Sequence, residues 1–353
     1  MWTNASAQRR VMMVGALLSC LLQPLAWGAE KQLRIGSLVP KNSVYHRQLM
    51  ELGEVWKKGQ EGAPKFNVFT DGTQGGEAEM TRRMRIGQLQ GALLSVVGLR
   101  EIEPSVAALQ AMPLLFKTWE EVDYVREKMR PAMEKKFADK GFVVLSWGDA
   151  GWVRFFSKEP AVRPDDYKKM KFFAWGAEAD QQAIMKSLGY TPVPLEPTDI
   201  LPAIQTGMIT VVPSTPYFAL ATQIYNTAPY MLEINWAPIV GALVVTQKTW
   251  AEMSPELQAA MRSASDKAGA VIRAQARKEV DEAVDAMKKR GLKVTHPTPE
   301  QMQEWNALAD SLYPRIRGTM VPADTFDEVM MHLKAYRAGR TKCGGHCCSL
   351  GEA

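Results

Sequence analysis

The chain has 353 residues, room for one large domain or two lobes of ordinary size, and its 46% hydrophobic and 23% charged content is that of a globular protein. Forty-three Lys and Arg against 38 Asp and Glu leave a formal charge of +5, too balanced for a polyanion-binding surface. No basic block interleaved with aromatics occurs, so nucleic acid is excluded as a partner.

At the N-terminus Arg9 and Arg10 precede an apolar run over residues 11–22, then Pro24 and the small residues Ala26 and Gly28. This order reads as a secretory signal, residues 1–28, cleaved after Gly28. The run is shorter than the roughly 20 apolar residues a membrane-spanning helix needs. A second reading takes Leu17-Leu18-Ser19-Cys20 as a lipobox with a lipid anchor on Cys20. Leu18 fits that pattern poorly, and apolar residues continue past the cysteine.

Residues 33–39 predict a first strand, ended by Pro40. Ser43 then caps a helix carrying Leu49, Leu52 and Trp56 on one face. Residues 66–69 form a second short strand, and a Gly-rich turn over 71–76 leads into a helix opened by Glu77 and running through Arg85. The turn lacks a following Gly-Lys-Ser/Thr and the dinucleotide spacing, so it reads as a tight turn rather than a phosphate loop. The alternation of strand and helix predicts an α/β sandwich with a mainly parallel sheet, and no internal repeat is visible.

Asp165 and Asp166 read as the cap of a helical turn rather than as a catalytic pair. Ser254-Pro255-Glu256 is a strong helix start: a capping hydroxyl, a proline in the first turn and an acid beside it. Leu257, Met261, Ala264, Ala268, Val271, Ile272, Val280, Val284 and Met287 then recur at helical spacing up to Gly291. Such a helix spans on the order of 50 Å at about 1.5 Å per residue, more than one lobe, so it should run across both. A coiled-coil dimerisation helix is the competing reading, against which the many alanines favour close packing on a globular body.

Catalytic chemistry finds little support. None of His46, His296, His332 and His346 sits in a metal-ligating or nucleophile-activating motif. No enzyme activity, cofactor or metal is expected. Cys343, Cys347 and Cys348, with His346 among them, lie in the tail 336–353. They read as thiols of a flexible terminus that pair in an oxidising compartment, with soft-metal binding as the alternative.

Three blocks carry a family resemblance: DGTQGGEAEMTRRMRIGQLQGALLS at 71–95, the Ala-Met-Pro-Leu-Leu-Phe run at 111–116 before a helix from Glu120, and the stretch 142–216. In order and spacing, over nearly all of residues 31–320, the chain resembles the DctP-type solute-binding proteins of tripartite ATP-independent periplasmic (TRAP) transporters. The resemblance implies a periplasmic receptor of two α/β lobes that closes by a hinge on a ligand cleft, with a long helix as backbone between the lobes. Lobe 1 is expected to comprise 29–150 and 241–275, and lobe 2 to comprise 151–240 and 276–335. The resemblance also implies delivery to a membrane permease, and in some lipid-associated branches a helical-repeat partner lipoprotein.

The same resemblance places the family's ligand contacts, and this chain departs from them. The arginine that grips a substrate carboxylate falls on Phe173, in Met170-Lys171-Phe172-Phe173. A second basic position falls on Val153, with Arg154 next to it. The polar residue after Ile204-Gln205-Thr206-Gly207 becomes Ser214, and polar contacts of the first lobe fall on Ser95 and near Leu38. Trp147, Trp152, Phe155, Phe156, Phe172, Phe173, Trp175, Tyr217 and Trp236 supply far more aromatic bulk than one element's face can use.

A buried carboxylate with no cationic partner costs several kcal/mol of desolvation. A pocket walled by Phe173, Val153, Trp175 and Pro197 should therefore reject small dicarboxylates and sugar acids. It should favour a lipid-like, aromatic or long-chain ligand, each buried CH₂ contributing about 0.8 kcal/mol. The polar end of such a ligand would meet Arg154 or Ser214. An organic-acid receptor that uses Arg154 is the rival within the family. A soluble lipid carrier for envelope trafficking, or a receptor for an envelope transporter of another type, and a periplasmic hydrolase are the rivals beyond it.

Overall fold

The computed structural model describes residues 31–62 and 64–343. The chain lays down β1 (Gln32–Ser37), β2 (Lys65–Phe69), β3 (Gly91–Ser95) and β4 (Phe142–Trp152) before crossing into a second sheet. There it forms β5 (Arg154–Ser157), β6 (Lys171–Trp175), β7 (Thr191–Leu195), β8 (Val211–Ser214) and β9 (Tyr230–Leu232). It returns as β10 (Pro238–Thr246) and leaves again to make β11 (Lys293–Thr295). The first sheet has the order β2-β1-β3-β10-β4, the second β11-β9-β5-β8-β6-β7. Two α/β lobes result, as the resemblance implies.

Both sheets are mixed rather than mainly parallel. β1 runs parallel to β2 and β3, but the returning β10 enters antiparallel between β3 and β4. In the second sheet β5 is antiparallel to both β8 and β9, while β6 is parallel to β7 and β8. A chain that crosses between lobes and comes back must insert strands against the prevailing direction, which short-range periodicity does not reveal. The two crossing segments are also bonded to each other. Pro238 stands opposite Trp152 in the ladder. The Val153 amide donates to the Ala237 carbonyl at 2.8 Å and the Trp236 amide to the Val153 carbonyl at 3.1 Å.

Helix starts follow the side-chain caps. Ser43 accepts from the His46 amide at the head of Val44–Lys58, which buries Leu49, Leu52 and Trp56. Ser254 accepts from the Leu257 amide at 3.2 Å, and the helix it opens runs over Pro255–Lys288. Thirty-four residues at about 1.5 Å each give about 50 Å. Its first turns bury Leu257 and Met261 in the apolar core of the first lobe, with Leu33, Trp56 and Val245. Its last turns bury Val284 and Met287 in that of the second, with Phe173, Ile204 and Val212. Val271, expected on the inner face, is 38% exposed. At that level the helix approaches β4 through Gly269 instead, where a Cβ would stand 2.8 Å from the Trp147 carbonyl oxygen.

The helix over Ala323–Cys343 packs Phe326, Val329 and Leu333 with Val122, Val125 and Met129 of the helix Trp119–Asp139. The segment grouped by sequence with the second lobe thus shares its apolar side with the first. The long helix is also tied to the first lobe by charge. Asp149, fully buried, meets Arg126 at 3.2 Å and Arg277 at 2.7 Å, and Asp123 pairs with the same two guanidinium groups. Asp166 caps the turn Pro164–Lys169, accepting from the Val162 and Arg163 amides.

The expected signal over 1–28, Cys20, His346, Cys347 and Cys348 lie outside the described residues, and Cys343 is the last residue of the final helix. Among the described residues no helix is long and apolar enough to cross a membrane, and no group of three or more His, Cys, Asp or Glu is placed to hold a metal.

Candidate functional site

The two lobes enclose a cavity of about 360 Å³. The first lobe contributes the ends of β1 and β3, through Leu38 and Ser95, and the middle of β4, through Trp147. The second contributes β5, β6 and the end of β8. Ligand crevices of α/β folds lie at such strand ends, where the backbone turns away and leaves side chains facing a gap.

Ten of the eleven residues expected from the sequence border this cavity: Leu38, Ser95, Trp147, Val153, Phe173, Trp175, Pro197, Ser214, Tyr217 and Trp236. Phe173 and Trp175 lie together on β6, ring centroids 5.8 Å apart and tilted by 60°. Phe173 is 4% exposed and packs at its base on Ile204 and Val212. Below Val153 an aromatic cluster fills the floor. The Phe155 ring lies 6.0 Å from Phe172, 5.4 Å from Trp236 and 5.5 Å from Trp305. Burial pushes the nearby Tyr190 hydroxyl up to about 12. Opposite, Tyr217 meets Tyr45 at 6.1 Å, and the Tyr45 hydroxyl donates to the Asp149 carbonyl at 3.0 Å. Ser214 donates to the Thr215 carbonyl at 3.4 Å.

Arg154 is the exception. Successive side chains of a strand point to opposite faces, so with Val153 and Phe155 at the cavity Arg154 is turned from it. There it is 6% exposed and its guanidinium lies 2.6 Å from Glu233. The expectation that Arg154 meets a ligand's polar end, or replaces the missing clamp arginine, is therefore corrected. Phe156 and Trp152 likewise lie off the wall; Phe156 belongs to the second lobe's core and Trp152 packs against Trp119, ring centroids 4.8 Å apart and tilted by 43°.

Four charged residues of the wall escaped sequence reading: Asp149, already held by Arg126 and Arg277, and Glu77, Arg100 and Glu178. Glu77 is buried at the head of Glu77–Arg85 and accepts from the Ser95 amide at 2.8 Å, the Ser95 hydroxyl at 2.6 Å and the Gly98 amide at 2.8 Å. Burial raises its carboxyl above the ordinary glutamate value, against the pull of those donors. Arg100, in the first lobe, pairs across the cleft with Glu178 of the second at 3.3 Å. Burial raises the Glu178 carboxyl too, with Arg100 opposing. Nothing local in the sequence links positions 78 residues apart. The helix Ala179–Ser187 that follows Glu178 buries none of its own residues, and its Ile184 and Met185, with Leu188 just beyond, turn to the cavity half-buried.

Residues 35–318 match the model of the family DctP, bacterial extracellular solute-binding protein, family 7. The C4-dicarboxylate-binding periplasmic protein DctP of Rhodobacter capsulatus is 22% identical over 309 residues, covering 85% of this chain and 91% of that one. Among solved structures, a TRAP periplasmic solute-binding protein of Shewanella oneidensis with bound succinate superposes with a TM-score of 0.79 at 17% identity, over 86% of this chain and all of that one. One from Haemophilus influenzae with bound L-gulonate gives 0.77 at 17% identity, over 88% and 99%. At such identity the superposition establishes the fold alone.

Proposed function

We propose, for a chain that belongs to the DctP family of bacterial extracellular solute-binding proteins, family 7, that the inter-lobe cleft takes an apolar or amphipathic ligand. Membership makes the protein a periplasmic TRAP-type solute-binding receptor rather than an enzyme, with a small-molecule ligand and a membrane permease as its partners. The lobes close on the ligand about the bonded crossing strands and exclude water from it.

One observation carries the reading. Arg100 is the single basic side chain among the described residues that line the cavity, and Glu178 already pairs with it. The carboxylates Glu77 and Glu178 stand in the same wall. An incoming acid would meet like charge and no free cation, and its desolvation would go uncompensated. The aromatic and aliphatic surface of Phe173, Trp175, Val153 and Pro197 offers favourable burial to a greasy ligand instead. The binding residues proposed are those ten wall positions, Arg154 excluded.

Native mass spectrometry of the purified mature protein, followed by extraction of whatever it carries, tests this. A co-purifying amphiphile supports the reading. A co-purifying dicarboxylate or sugar acid, confirmed by calorimetric titration, overturns it.

A further inference from the structure

We propose that Glu178 is a built-in counter-anion for Arg100, occupying the role a ligand carboxylate would otherwise take and so selecting against acidic ligands. This rests on the apolar-ligand reading and adds to it the residue that enforces it.

The two partners come from different lobes. Arg100 ends the short helix Val96–Leu99 after β3, and Glu178 precedes the helix Ala179–Ser187 after β6. Their side chains are 15% and 8% exposed, and the Arg100 Nη1 to Glu178 Oε1 distance is 3.3 Å. Asp180 lies 3.9 Å from the other terminal nitrogen. A guanidinium so enclosed must find an anion, because leaving it unpaired is strongly unfavourable. A receptor for acids would have to leave such a guanidinium open to the ligand. Here the second lobe brings its own carboxylate, and closure completes the ion pair within the protein. The ligand then needs no charge. An acid would have to displace Glu178 and leave that carboxylate buried and unmatched beside it.

Substituting Glu178→Gln should free Arg100 for an external carboxylate. Wild type, Glu178→Gln, Glu178→Asp and the double variant Glu178→Gln with Arg100→Met would be titrated calorimetrically with octanoate, octanamide and succinate, and melted with and without octanoate. Octanoate should bind Glu178→Gln at least tenfold more tightly than wild type, raise its melting temperature, and lose this gain in the double variant. Glu178→Asp, retracted by one methylene, should gain less; it carries the test if Glu178→Gln does not fold. Unchanged octanoate binding in the single variants sinks the counter-anion role while leaving the apolar reading in place. Wild type that prefers succinate to both octanoate and octanamide sinks the apolar reading, and wild type that prefers octanoate to octanamide sinks the counter-anion role. A gain that persists without Arg100 assigns the anion site elsewhere and also overturns the proposal.

Discussion

The Arg154 guanidinium and the Glu233 carboxylate stand 2.6 Å apart on the side of β5 turned from the cavity. Arg154 is almost fully enclosed there while Glu233 keeps 30% of its side chain in solvent. The pair is asymmetric: losing the glutamate strands a buried charge, whereas losing the arginine leaves a carboxylate that water can reach.

Glu233→Ala should therefore lower stability by about 3 kcal/mol, the range for breaking one partner out of a buried pair, read from urea unfolding midpoints. Occupancy by the co-purified ligand should stay at the wild-type level. A drop in occupancy at unchanged stability would put Arg154 back in the site.

Phe173→Arg places a guanidinium where the resemblance puts the family's clamp arginine. Its base would sit among Ile204 and Val212 and its tip beside Trp175. Displacement of a fluorescent apolar probe should weaken at least tenfold, about 1.4 kcal/mol. Titration with succinate should become measurable. Retained probe affinity would show that Phe173 does not contact the ligand.

Gly269→Ala adds a methyl 2.8 Å from the Trp147 carbonyl oxygen and 3.1 Å from the Ser146 Cβ. Neither neighbour is the free end of a flexible chain, so the long helix has to lift from β4. A loss of about 1–3 kcal/mol follows from overpacking of this kind, checked by chemical denaturation. Trp147 and Gly269 both border the cavity, so probe affinity should fall as well.

Glu77 supplies a pH test. Its folded-state value is raised above the ordinary 4.5 by burial. A raised acid contributes stability that is present below the unfolded value and lost as pH rises through the folded one. The melting-temperature difference between wild type and Glu77→Gln should therefore favour wild type most near pH 4 and shrink as pH rises. A difference that grows with pH would mean that Ser95 and Gly98 hold the carboxyl below its ordinary value.

Much of this architecture was legible from local chemistry. Ser43 and Ser254 mark helix starts because their hydroxyls cap neighbouring amides, within reach of a sequence reading. The aromatic wall was legible because so many rings near strand ends cannot share one face. Arg154 was misplaced because proximity to Val153 in sequence is the opposite of proximity in a pleated strand. Arg100 and Glu178 were missed because their meeting depends on the packing of two lobes. The position of the last helix was hidden for the same reason: its periodicity states that one face is buried, and not against what.

The pairing of Trp152 with Pro238, and the two backbone hydrogen bonds joining Val153 to Ala237 and Trp236, make the strand connections a single ribbon rather than two independent threads. A door hung on adjoining pins swings in one plane. Spin labels placed either side of the mouth should trace one arc of separations, with little sideways scatter. A bulky molecule would then enter and leave by the edge farthest from that ribbon.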